Sequence, residues 1–188
     1  GEKITFRKGR WILKVDQGVK KRLRQGLLAM DKTPTEFLRA VHSWEKKGFT
    51  QFLLEPVVPH AKSEERYLSF ERMREGVRVL YVTRGGVDVE TRSASVQAFL
   101  IHTADDIVQA ASKLQLPEVF LKDLYKSFND NFFAFLEINP LVIDARGVHI
   151  LDAAVLVDSA GVFFTSAWNE QDIVKTYGNH ANCYSLCC

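Results

Sequence analysis

Cysteine is almost missing from this 188-residue chain: Cys183, Cys187 and Cys188 are the only three, and residues 1–182 hold none. No disulfide can staple the body of the chain, which fits a reducing compartment, so a cytoplasmic location is expected. His180 beside these cysteines lacks a second ligand pair at zinc spacing, so residues 169–188 read as a tail rather than a metal site. Long apolar runs are also missing. No segment approaches the roughly eighteen apolar residues of a membrane span. Gly1-Glu2-Lys3-Ile4-Thr5 carries no apolar signal core, so neither a membrane partner nor secretion is expected.

Net charge is small, +2, but unevenly spread. Residues 1–50 carry thirteen Lys and Arg against five acids, +8, which leaves −6 for the rest. Such asymmetry points to an anionic partner near the amino-terminal part. Nucleic acid is a poor candidate for it, because Lys20-Lys21-Arg22 with Arg24 lacks interleaved aromatics and no nucleic-acid motif follows. With 46% hydrophobic and 26% charged residues, the chain is neither disordered nor membrane-embedded.

Strand and helix signals alternate, which argues an α/β or α+β fold. Residues 10–16 read as a strand leading into a basic loop. Thr33-Pro34-Thr35-Glu36 starts a helix that Gly48 ends. Residues 52–58 form an apolar strand interrupted by Pro56, and strands over 67–72 and 77–83 run into Gly85-Gly86. Thr103 with Asp105 and Asp106 predicts a helix cap, and Pro117 starts a further helix.

The segment from Leu136 to Asp152 carries the most chemistry. If Ala145-Arg146 is a hairpin turn, Asn139 and Asp152 face each other with Cβ atoms roughly 5 Å apart. Glu137, two residues before Asn139, shares their face. An amide oxygen and carboxylates converging in this way suit Mg²⁺, a hard cation that shares its oxygen ligands with phosphates. Pro140 within this strand argues for a sheet edge.

At these residues the chain resembles a known family. Glu137-Ile138-Asn139-Pro140-Leu141-Val142, then Leu151-Asp152-Ala153-Ala154, are similar to the ATP-grasp domain of succinyl-CoA synthetase β subunits and ATP-citrate lyase. Lys14-Val15-Asp16-Gln17, residues 52–60 with Glu64-Glu65-Arg66-Tyr67, and Gly85-Gly86-Val87-Asp88-Val89 follow in the family's order and favour the ATP-citrate lyase type.

The resemblance implies an α+β ATP-grasp fold: mixed, largely antiparallel sheets flanked by helices, with nucleotide between two subdomains. These would be a smaller basic one over about 1–54 and a larger one over 55–168. It implies ATP and Mg²⁺ as cofactors. Lys14 and Arg22 would meet phosphates, while backbone groups around Glu55, Pro56, Val57 and Val58 would meet the adenine edge. Glu65 would reach the ribose, Asn139 and Asp152 would hold Mg²⁺, and Glu137 would stand behind them. No residue of this chain is expected to react covalently. The γ-phosphoryl would pass to a histidine of a flavodoxin-like and CoA-binding domain or subunit that this chain lacks, activating citrate or a related acid.

Two departures matter. Leu23 follows Arg22 where the family has glycine, and Arg84 replaces the acid before Gly-Gly-Val. Leu23, together with the domain that this chain is expected to lack, leaves a second reading open, a non-catalytic nucleotide-binding or assembly module that kept the fold.

Overall fold

The computed structural model describes residues 9–19, 22–83 and 96–169, together with the backbone of 174–175 and 184–185. Lys20, Lys21, Arg84, the Gly85-Gly86-Val87-Asp88-Val89 motif, His180 and the three cysteines lie outside the described residues. The chain divides into two compact units, Gly1–Pro59 and His60–Cys188.

In the first unit, the two-residue period of β1, Trp11–Val15, puts Leu13 and Val15 together on one buried face. β1 is the middle strand of an antiparallel sheet, between β2, Leu28–Met30, and β3, Phe52–Pro56. The helix α1, Pro34–Glu45, begins where Thr33 and Glu36 cap each other reciprocally, with Pro34 in its first turn. It buries Phe37 and Trp44 in one cluster with Leu13, Val15 and Leu27. Glu36 accepts hydrogen bonds from the Thr33 backbone and hydroxyl, which hold its carboxyl below the ordinary range.

In the second unit the main sheet is backed by two helices. β4, Arg66–Arg72, and β5, Val77–Val82, form a hairpin that β6, Val96–Ile101, extends. β7, Phe133–Asp144, pairs with β4 on one side. On its other side it pairs with β8, Gly147–Ile150, and then β9, Ala153–Val157. Every strand pairing among the described residues is antiparallel, which decides for α+β over α/β and agrees with the largely antiparallel sheets expected. Helices α2, Asp106–Leu114, and α3, Glu118–Asp130, bury Ile107, Leu114, Leu121 and Phe128 against Leu68, Phe70, Val79 and Ile138 of the sheet. Phe128 lies 5.6 Å from Phe70 and 6.3 Å from Phe133, centroid to centroid. Trp168 closes this core, 3% exposed, its indole N–H donating to the Asn131 carbonyl at 2.8 Å. Two short strands, Val174–Lys175 and Tyr184–Ser185, pair with each other beyond it.

Two local expectations need correction, and two strands went unforeseen. Thr103 is not the cap of α2: the helix starts at Asp106, whose carboxylate reaches back to accept from the backbone N–H groups of His102 and Thr103 at 2.8 and 2.9 Å. Pro140 does not mark an edge, because β7 has partners on both sides. The pairing with β4 shifts between Arg66↔Leu141 and Leu68↔Ile138, and the proline falls in that bulge, where a ladder tolerates a missing donor. β2 and β6 carry no strong sequence signal; one is three residues long and the other is largely exposed.

Candidate functional site

Within the first unit, pairing decides where Lys14 points. The register sets Ile12 opposite Glu55 and Lys14 opposite Leu53. Lys14 and Glu55 are therefore diagonal neighbours on the face that Leu13 and Val15 leave. The ammonium reaches the Glu55 carboxylate at 3.0 Å, and Lys14 is 5% exposed. A cation so far out of water needs opposite charge close by. One residue beyond β3, the Val57 N–H donates to the Arg10 carbonyl at 2.9 Å, so this amide is committed to strand pairing. Val58 follows it, half-buried.

Arg22 opens the turn between β1 and β2. Its carbonyl accepts from the N–H groups of Gln25 and Leu27 at 3.1 and 2.9 Å, and Gly26 supplies the left-handed φ of +65° that closes the turn. The Trp44 indole N–H donates to the Gly26 carbonyl at 2.9 Å, tying the basic turn to α1. Leu23, in the glycine's place, is 66% exposed. Asp16, next after β1, buries one carboxylate oxygen that has no hydrogen-bond partner. The sequence drew no attention to this atom.

Within the second unit, Glu65 precedes β4 and lies 3.5 Å from the imidazole of His60, both side chains about one-fifth exposed at 18% and 20%. The hairpin register runs Leu141↔Ile150 to Asp144↔Gly147 and closes on Ala145-Arg146. The Asn139 N–H donates to the Asp152 carbonyl at 2.9 Å, and the Leu151 N–H to the Pro140 carbonyl at 3.1 Å, so the pairing carries across the gap between β8 and β9. Asn139 and Asp152 are thus directly opposed. The Asn139 side-chain oxygen is buried with no hydrogen-bond partner, which costs about 1–3 kcal/mol unless a ligand accepts the task.

Glu137 lies opposite Ala154 on one side and Ser69 on the other. Tyr67 and Ser69 share its face, and Ser69 is only 1% exposed. Burial pushes the Tyr67 phenol above its ordinary pKa; a hydrogen bond with Ser69 opposes this, and the charges of Glu137 and Glu71 add to it. The signal for these two was present in the alternation of Tyr67, Ser69 and Glu71 with apolar Leu68 and Phe70.

The donor set bears on which metal could be held. Among the described residues, no cluster of three or more His, Cys, Asp or Glu forms a self-contained cage. One amide oxygen lacking a partner and one facing carboxylate fit Mg²⁺, which usually takes few protein ligands and completes its shell with water and substrate phosphates.

The profile of the ATP-citrate synthase ATP-grasp domain matches residues 2–168. Among curated proteins, the ATP-citrate synthase of Mus musculus is 33% identical over 195 residues, covering 90% of this chain and 18% of that protein. The probable ATP-citrate synthase subunit 2 of Schizosaccharomyces pombe is 31% identical over 180 residues, covering 81% of this chain and 36% of that protein. Among solved structures, the ATP citrate lyase of Methanothrix soehngenii, in complex with citrate and coenzyme A, superposes with a TM-score of 0.67 at 26% identity. That match covers 85% of this chain and 41% of that one. The dinucleotide-forming acetyl-coenzyme A synthetase 1 of Ca. Korarchaeum cryptofilum shares the fold at 15% identity, with a TM-score of 0.59 over 79% of this chain and 76% of that one. The chain spans less than half the length of these ATP-citrate synthase and lyase relatives. No helix among the described residues is long and apolar enough to cross a membrane.

Proposed function

Since the chain belongs to the ATP-citrate synthase ATP-grasp domain family, we propose that it binds Mg-ATP and presents the γ-phosphoryl to a histidine of a partner domain or subunit. The observation that carries this reading is the opposed pair Asn139–Asp152, with the amide oxygen buried and unsatisfied. Asn139 and Asp152 hold Mg²⁺ in this reading, with Glu137 behind them. When bound, the ion neutralises phosphate charge. Lys14 and Arg22 supply fixed cations to the phosphates, the strand end at Glu55–Val58 lines the base, and Glu65 reaches the ribose hydroxyls. Catalysis by this chain is positioning and charge neutralisation, as phosphoryl transfer requires. The bond from the β–γ bridging oxygen to phosphorus breaks, and one from phosphorus to the partner's histidine nitrogen forms. That phosphate then activates citrate or a related acid for thioester formation with coenzyme A, on a flavodoxin-like and CoA-binding partner in the cytoplasm.

The test is a melting experiment on the wild type and on Asp152→Ala. At a ligand concentration about a hundredfold above Kd, binding adds about 2.7 kcal/mol, which raises Tm by roughly 5–10 °C in a chain of this size. The wild type shows this rise with Mg-ATP and Asp152→Ala loses most of it. Equal rises in both proteins, or none in either, refute the assignment.

Leu23, exposed at the turn of Arg22, favours a second reading in which the module binds nucleotide without phosphoryl transfer. Acid-labile, alkali-stable phosphate on a supplied partner subunit decides for the first reading, and binding without it for the second.

A further inference from the structure

Glu55 carries no assigned side-chain role in the nucleotide reading: its backbone is what faces the base. Its carboxylate nonetheless lies 3.0 Å from the ammonium of Lys14. The two strands that bear them pair over five consecutive residues, from Trp11↔Pro56 to Val15↔Phe52, so the diagonal contact is built into the sheet. The lysine side chain is 6% exposed and the glutamate side chain 29%, so the cation is the buried member and the carboxylate is its link toward solvent.

We infer that Glu55 is a positioning residue for Lys14, so that one residue serves base recognition through its backbone and phosphate recognition through its side chain. The inference rests on the nucleotide reading. Lys14 is a long, flexible side chain with several staggered rotamers per bond. A carboxylate at one fixed lattice point of the sheet selects among them and keeps the ammonium extended along the face. Without the Glu55 carboxylate the buried cation loses the charge 3.0 Å away that fixes its direction along the sheet face, and the side chain relocates. Strand β3 then couples the two ends of the nucleotide: a displacement of Glu55 that spoils the base contact also moves the charge that meets the phosphates.

A double-mutant cycle tests this on the full 188-residue chain, with Mg-ATP affinity measured by calorimetry and each variant's melting temperature recorded beside it. Glu55→Gln weakens Mg-ATP binding by about tenfold, and Lys14→Met weakens it at least as much. In the Lys14→Met background, where the buried charge is gone, Glu55→Gln changes affinity by less than about twofold, because the carboxylate acts through the lysine. The double variant melts higher than Glu55→Gln alone, since the buried charge that had lost the Glu55 carboxylate is gone. If Glu55→Gln does not fold, Glu55→Asp replaces it as the single variant. It keeps the charge but shortens the reach, and it falls between wild type and Lys14→Met in affinity. Losses that add in the double variant overturn the inference while the nucleotide reading stands. A wild type that binds no Mg-ATP overturns both.

Discussion

Asn139 and Asp152 are bonded backbone to backbone, N–H to carbonyl at 2.9 Å, at the one point where the partner of β7 is interrupted. β8 ends at Ile150 and β9 begins at Ala153, so Asp152 occupies the break. On the other side of β7 the pairing with β4 shifts at the same level, between Leu141 and Ile138. A bulge re-aims side chains, and its effect is visible in burial. Ile138 and Leu141, three apart rather than two, both face the helices, while Asn139 is left on the opposite face with Glu137.

The unsatisfied amide oxygen predicts a conflict between stability and binding. Asn139→Leu removes a buried polar atom without a partner and substitutes an apolar group of similar size. The ligand-free protein then melts at the same temperature or up to about 4 °C higher, and the rise in Tm caused by Mg-ATP disappears. Differential scanning calorimetry with and without Mg-ATP measures both effects; a ligand-free melt several degrees lower would show that the oxygen has a stabilising partner after all.

Trp44→Phe tests the anchor of the basic turn. It deletes the indole N–H that donates to the Gly26 carbonyl and trims a side chain stacked on Phe52 at 6.0 Å. A loss of about 1–3 kcal/mol in urea unfolding is expected, with a wild-type m-value. If the change leaves stability untouched, the turn owes nothing to Trp44.

The β4–β5 turn leaves no room for a side chain at Gly76. A Cβ there would lie 2.3 Å from the Ile101 carbonyl oxygen, on neighbouring backbone, and φ is +158°. Gly76→Ala must move one strand end away from the other, and we expect a cost above about 2 kcal/mol. Chemical denaturation reads it directly, and a near-neutral result would mean that the Ile101 end of β6 gives way freely.

Asp144 supplies a pH signature at the hairpin tip. Its carboxylate accepts from the guanidinium of Arg146, from the His149 ring at 3.0 Å and from the Arg146 N–H at 2.8 Å, and these hold it far below the ordinary carboxyl range, Arg146 contributing most. A depressed folded pKa means the stabilisation is complete above the unfolded value of about 3.9 and is lost as pH falls through the folded one. The Asp144 carboxyl therefore contributes no pH dependence between about pH 5 and 8. Carboxyl-detected NMR should place its midpoint below those of the exposed acids, and Arg146→Ala should bring it back toward them; an ordinary midpoint in the wild type contradicts the geometry.

The hairpin was legible from residue order because it depends on local rules. A two-residue turn fixes the register, and the register alone brings Asn139 opposite Asp152. The start of α1 was legible for the same reason, since Thr33, Pro34 and Glu36 act within one turn. The bulge at Pro140 was not, because it is set by the strand on the far side, seventy residues earlier in the chain. The Lys14–Glu55 contact was hidden likewise: two motifs that read as separate, one for phosphates and one for the base, meet only when β1 pairs with β3. Thr103 misled because Thr followed by acids reads as a cap with acids in the first turn, whereas the helix starts at Asp106, whose carboxylate turns back to bind the Thr103 N–H.

β7 is twelve residues long and is gripped along both edges. The position of Asn139 is therefore held by backbone pairing that does not depend on its side chain. Exchanging the amide for another group leaves the scaffold in place, so chemistry and architecture are separable at this point of the fold. A lineage could lose the use of this site in one substitution and keep the shape unchanged. Shape alone is then a poor witness to activity here, and the identities of residues 139 and 152 are the ones to read first in any related chain.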